Sequence, residues 1–293
     1  MRLRRGVSLE HADMVLREAW TRWSNARSAS EPASGYIEAV NDTYPALQQV
    51  FAVPDLAAGV RSGAYWHLLS LIRADASRSV TTLVAEPDRI RGERALNGAF
   101  QAEFDNQLKA LEAARVELDA LKELAARPGL PVVYDTNMLN HWQQPGDIRW
   151  REVLKAQGEQ ATIVRLVVPL RVIDELDRQK YGGAESDLAR KAATAIRYLE
   201  RHLKTVPAGK PAKLRENVTL EAWLDTDLRD IDPDLAILEC AADLNSLHPG
   251  TGARVITNDC GMRLRASQMS LKVVALPDEY RKKGTAMDLA PPL

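Results

Sequence analysis

Pro131-Val132-Val133-Tyr134-Asp135-Thr136-Asn137 decides the fold. A short apolar run of this kind, rich in β-branched residues, reads as a buried strand. It ends on a carboxylate, and the helical Met138-Leu139 follows. In an open parallel sheet the loops after the strands share one edge, and ligands bind there. The stretch therefore delivers an acid to a binding edge. Three further acids stand in similar settings. Glu175 comes after Ile163-Val164-Arg165-Leu166-Val167-Val168-Pro169, Asp234 lies at a helix start, and Asp259 follows Val255-Ile256-Thr257. Carboxylates gathered at one edge repel one another unless a cation lies between them, which points to a hydrolytic metal site.

Each acid also has a plain structural explanation. Asp135 and Asp259 are good N-caps for the helices that follow them. Glu175 suits a helix opened by Pro169, although Asp174 and Asp177 compete for its role. Pro233 fits a first helical position and makes Asp232 the cap, which leaves Asp234 as an additional first-turn charge. The convergence of all four is what favours a cation. Mg²⁺ and Mn²⁺ take oxygen ligands and keep several waters. The five histidines have no ligand spacing, and Cys240 and Cys260 are too few for a thiolate site or a disulfide framework. A bound divalent ion can activate water and stabilise charge at phosphorus, and two ions can clamp both the attacking and the leaving oxygens.

Outward from Asp135 the chain divides near Arg127-Pro128-Gly129. Residues 1–127 carry almost only helical patterning, residues 128–280 alternate strands and helices, and residues 281–293 read as a poorly ordered tail. In the first part the expected helices are 8–25, 36–51 (limited by Pro45), 56–74 and 87–126. Phe100, Phe104, Leu108, Leu111, Leu118 and Leu121 form one stripe on the last of these. The heptads Phe104, Leu111 and Leu118 do not persist, so a bundle helix is expected over a coiled coil. In the second part the strands are Val132–Asp135, Thr162–Val168, Val255–Thr257 and Leu271–Leu276, with Asn217–Trp223 as a further candidate. Helices 148–156, 170–180, 185–204 and 235–247 lie between them. Alternation of this kind implies a parallel sheet with right-handed crossovers.

Net charge is -1, so an affinity for nucleic acid has to come from a local patch. No stretch reaches the roughly 20 apolar residues of a membrane span, and no apolar segment follows the basic Arg2, Arg4 and Arg5. A soluble, cytoplasmic protein without a membrane partner is expected.

Val132-Val133-Tyr134-Asp135-Thr136-Asn137, Val172-Ile173-Asp174-Glu175-Leu176-Asp177, Asp234-Leu235-Ala236-Ile237-Leu238 and Ile256-Thr257-Asn258-Asp259 resemble, in order and spacing, the four motifs of PIN-domain nucleases. The resemblance runs from Pro131 to Pro277. It implies a three-layer α/β/α fold with a central parallel sheet, related to flap endonucleases and here preceded by an all-α N-terminal domain. It also implies a divalent-metal-dependent nuclease acting mostly on RNA. Carried over by position, Asp135, Glu175, Asp234 and Asp259 are the metal-binding and catalytic acids. Thr257, Asn137 and Asn258 support them. No protein nucleophile is required.

An acidic pocket repels phosphate, so a basic rim is expected. Arg178, Lys180, Arg190, Arg197, Arg201 and Arg263 are the candidates, although a run of charges is more often a solvated face. Trp142 and Trp150 could stack on bases, as in single-strand binders, or lie in the core. The expected reaction is hydrolysis of single-stranded or loop RNA. The rival readings are a toxin of a toxin–antitoxin or defence pair, held by a protein inhibitor, and a non-catalytic PIN-fold RNA-binding scaffold. Self-association through the N-terminal helical domain is a further expectation.

Overall fold

The computed structural model describes residues 2–4, 6–52, 55–80, 86–182, 186–223 and 232–282. The chain forms two units, Met1–Ala126 and Arg127–Leu293. The tail expected at 281–293 lies almost wholly outside the described residues.

The first unit is helical: α1 (Leu9–Arg27), α2 (Pro32–Val50), α3 (Asp55–Val60), α4 (Gly63–Val80) and α5 (Glu86–Ala125). Ser8 caps α1 by accepting from the His11 amide. The core is built around Trp23, which meets Tyr36 and Phe104 edge-on at centroid distances of 5.7 and 6.1 Å. Phe100, Phe104, Leu108, Leu111 and Leu118 are buried in that core, so the stripe on α5 serves its own bundle. Two details differ from expectation. Pro45 lies inside α2 instead of limiting it. A proline removes one backbone donor, and Val40, Thr43, Leu47 and Val50 hold both sides of it in the core. The helix expected over 56–74 breaks between Val60 and Gly63, where Gly59 and Gly63 weaken the helical preference.

The second unit is a three-layer α/β/α sandwich. Its elements are β1 (Leu130–Tyr134), α6 (Thr136–His141), α7 (Trp150–Ala156), β2 (Val164–Pro169), α8 (Leu170–Tyr181), α9 (Asp187–Leu203), β3 (Ala212–Arg215), β4 (Val218–Trp223), α10 (Pro233–Leu247), β5 (Arg254–Ile256), α11 (Cys260–Gln268) and β6 (Lys272–Val274), then a 3₁₀ turn at Asp278–Tyr280. Strand order is β3-β4-β2-β1-β5-β6, all parallel except β3 against β4. Strands β1 and β2 are buried at every position, as a sheet covered on both faces requires.

The expected sheet lacked β3. Its sequence, Ala212-Lys213-Leu214-Arg215, is short and charged, the usual form of an edge strand and a weak signal. From β1 the chain winds outward to β2 and β4. Helix α10 then carries it back across β1 to β5, and it continues to β6. The winding reverses between β1 and β5, and the carboxyl ends of those strands are where a sheet of this kind places its ligand crevice. No helix among the described residues is long and apolar enough to cross a membrane.

Candidate active site

Asp135 ends β1 at this crevice and is 2% exposed. One carboxylate oxygen caps α6 by accepting from the Asn137 amide at 3.2 Å. The other accepts from the Thr257 hydroxyl at 2.7 Å. The cap and the site residue are therefore the same side chain. Thr257, at the end of β5, is fully buried and also accepts from the Asp259 amide at 3.1 Å. One hydroxyl thus spans the switch point and fixes the start of the loop that carries Asp259.

Glu175 comes from the second turn of α8. Its competitors Asp174 and Asp177 are exposed, whereas Glu175 is half-buried. The Thr136 hydroxyl donates to one of its oxygens at 2.6 Å, and the Gln179 amide donates to the other at 3.0 Å. The fully buried Asn140 donates to Gln179 at 2.7 Å. Asp232 caps α10 and Pro233 follows it, so Asp234 is the additional first-turn acid; Arg265 pairs with it at 2.9 Å. Asp259 is exposed and caps α11 through the Met262 amide at 2.8 Å.

The acids act on one another. Burial pushes the Asp135 carboxyl above its usual range against the opposing hydrogen bonds from Thr257 and Asn137, and the charges of Asp234 and Glu175 push it further. Asp234 is raised by burial, then by Asp232, and also by Glu175 and Asp259, with Arg265 opposing. The segments that follow β1, β2, β4 and β5 therefore bring Asp135, Glu175, Asp234 and Asp259 into one electrostatic neighbourhood.

The donor set is all oxygen, the chemistry that Mg²⁺ and Mn²⁺ select. Each Asp135 oxygen accepts one hydrogen bond and has a second lone pair. Among the described residues no group of three or more His, Cys, Asp or Glu stands close enough together to hold a metal ion by itself. An open arrangement suits Mg²⁺, which binds through one or two carboxylates and retains waters. The residues fit such an ion.

The remaining candidates divide. Asn137 is exposed and contributes its amide rather than its side chain. Asn258 holds the backbone of Leu276 through both ends of its side chain, at 3.0 Å each, and so orders the loop after β6. Arg190, Arg197 and Arg201 share the exposed face of α9 opposite its buried Ala189, Ala192, Ala195 and Leu199. Arg190 pairs with Asp187 and Arg197 bonds its own helix. Arg178 and Lys180 are engaged by neighbours on α8. Arg263 donates to the Asn258 carbonyl at 2.9 Å, beside Asp259.

Trp142 and Trp150 are core residues, 6% and 1% exposed, and Trp150 is edge-on to Tyr134. They cannot stack on bases. Sequence reasoning missed Thr136, Asn140 and Gln179. Their signal was spacing: Gln179 follows Glu175 by four, and Asn140 follows Thr136 by four, each on one helix face.

A family model described as PIN domain matches residues 132–276. No curated protein matches the chain.

Proposed function

Residues 132–276 are a PIN domain, a family generally of nucleases that typically use divalent metals, and from that premise we propose that the chain is a metal-dependent endoribonuclease cutting single-stranded or loop RNA. One observation carries the reading: the buried Asp135, bonded across the switch point to Thr257, lies in the field of Asp234 and Glu175. Burying mutually repelling acids destabilises a fold, a cost that a cation bound between them would offset. A scaffold without turnover has no use for that cation.

Asp135, Asp234 and Asp259 would hold the ion, with Glu175 completing the site or serving a second ion. When bound, a divalent ion polarises water and stabilises charge developing at phosphorus. The chain's own residues prepare the site. Thr257 fixes the rotamer of Asp135 and the position of the Asp259 amide. Thr136 and Gln179 hold Glu175 from both oxygens. Arg265 partly neutralises Asp234.

The test is cleavage of labelled single-stranded RNA and DNA in Mg²⁺, Mn²⁺ or EDTA by wild type, Asp135→Asn and Asp259→Asn. Both variants should lose metal-dependent cleavage by at least about a hundredfold, the scale of an electrostatic group in a catalytic site. Asn caps helices as well as Asp, so both should melt cooperatively, and Asp135→Asn should melt no lower than wild type in EDTA. Equal cleavage by all three proteins would overturn the mechanism.

A further inference from the structure

The cations that converge beside the acids are not those of the exposed α9 face. The segment 280–282 straps the end of α6. The Gln143 amide donates to the Tyr280 carbonyl at 2.8 Å, and the Lys282 amide donates to the His141 carbonyl at 2.9 Å. Trp142 and Arg281 form an antiparallel bridge between these donors. Lys282 Nζ donates to the carbonyls of Leu139 and Asn140 at 2.9 and 3.1 Å, which caps α6. Lys191, on α9, is held by Asp187 at 2.6 Å.

His141 and Lys282 thus stand at the carboxyl end of α6, and Lys191, Arg281 and the acid Asp187 lie within electrostatic reach of His141. Formal charges of +3 from Lys191, Arg281 and Lys282 and -1 from Asp187 leave +2 with His141 neutral. Burial, then Lys191, Lys282 and Arg281, hold the His141 imidazole below its usual range against Asp187. Burial and Lys191 likewise lower Lys282. Like charges held this close, and partly withdrawn from water, are stabilised by an anion between them.

The other end of α6 is Asp135. A helix rises about 1.5 Å per residue, so the six residues of α6 separate the two ends by roughly 9 Å. We propose that His141, Lys191, Arg281 and Lys282 form a subsite for a backbone phosphate of single-stranded nucleic acid, one or two nucleotides from the bond presented to the acids. Arg281 and Lys282 lie beyond the stretch that matches the family, so the subsite belongs to this chain. The inference rests on the nuclease reading only for the purpose of the strand, because the cluster itself needs no metal. Neutral His141 can donate one ring N–H to a phosphate oxygen, and the backbone bonds of the strap fix where Arg281 and Lys282 leave the chain.

The test is binding of a labelled single-stranded RNA, and of the matching DNA, to the full chain in EDTA across a salt series. Wild type is compared with Lys191→Gln, Arg281→Gln, the double variant, Lys191→Arg and, as a charge control, Lys272→Gln. Lys272 begins β6 at the opposite edge of the sheet and is exposed, paired with Glu159. The double variant should bind about tenfold more weakly at 0.1 M salt. Its salt slope should fall by about 0.7, the value of one single-strand phosphate. Lys191→Arg and Lys272→Gln should bind as wild type does. Loss on RNA, with or without the same loss on DNA, supports the subsite. Undiminished binding by the double variant, or an equal loss in Lys272→Gln, overturns it. Because the assay contains no metal, a failure of hydrolysis would sink the nuclease reading and leave this result standing.

Discussion

Gln179 is the residue whose importance least resembles its sequence signal. It neither carries charge nor ends a strand, yet it joins the buried Asn140 to Glu175. Residues that orient a metal-binding carboxylate are worth about 10–100-fold in metal affinity or activity when removed. Gln179→Leu should therefore weaken Mn²⁺ binding by roughly tenfold, measured by calorimetry, because Glu175 keeps only its bond from Thr136. Gln179→Glu retains an acceptor for Asn140 but loses the donor to Glu175, so it should also bind weakly. Wild-type Mn²⁺ affinity in Gln179→Leu would remove Gln179 from the site. Asp135 was legible in the sequence because an apolar strand ending on an acid is rare enough to notice. Gln179 was not, because a glutamine on an exposed-looking helix turn has many uses, and only the fold brings Asn140 beneath it.

Between elements, the densest charge lies on β2 and β4, away from the acids. Arg165 is 2% exposed and binds Glu221 at 2.8 Å, and Arg127 pairs with the other oxygen of that carboxylate. Arg165 Nη1 also donates to His248 Nε2 at 2.9 Å, at the end of α10. Burial and the Arg165 charge push His248 down from 6.5 to about 4. The folded state therefore binds fewer protons than the unfolded chain between these values, and stability rises with pH across that window. At about 1.4 kcal/mol per unit, acidification from pH 6.5 to 4 should remove on the order of 3 kcal/mol. His248→Gln keeps an acceptor for Arg165 and should lose that much less over the same range, as read from urea midpoints at pH 6.5 and pH 4. A parallel acid loss in both proteins would refute the assignment. The elements themselves were largely legible: β1, β2, β4 and β5 lie within two residues of expectation, and full burial of β1, β2 and β5 is what makes their runs stand out. Strand β3 escaped because half of it faces water, and Arg165 escaped because a single basic residue does not interrupt a strand pattern.

At the scale of the molecule, the sequence texture changes at Arg127-Pro128-Gly129, and the chain divides into 1–126 and 127–293. Each unit has its own core, Trp23 with the α5 aromatics in one and the covered sheet in the other. All four acids, Thr136, Gln179, Thr257 and the basic cluster at α6 lie in the second unit. What the sequence hid at this scale was which basic residues gather near the acids, because Lys191 and Arg281 are distant in the chain and only the fold brings both within reach of His141. A fragment beginning at Arg127 should consequently fold and hydrolyse RNA. The start matters, because Arg127 completes the ion pairs of Glu221 and also binds the Gly209 carbonyl. Glu221 keeps Arg165 when Arg127 is removed, so a fragment starting at Pro128 should be less stable, by less than the about 3–5 kcal/mol of a fully broken buried pair. The Arg127 fragment should show one cooperative thermal transition and a kcat within about threefold of the full chain on short single-stranded RNA. Asp135→Asn should abolish its activity as in the full chain. A folded but inactive fragment, beside an active full chain, would move part of the catalytic apparatus into the helical unit and reject the division of labour drawn here.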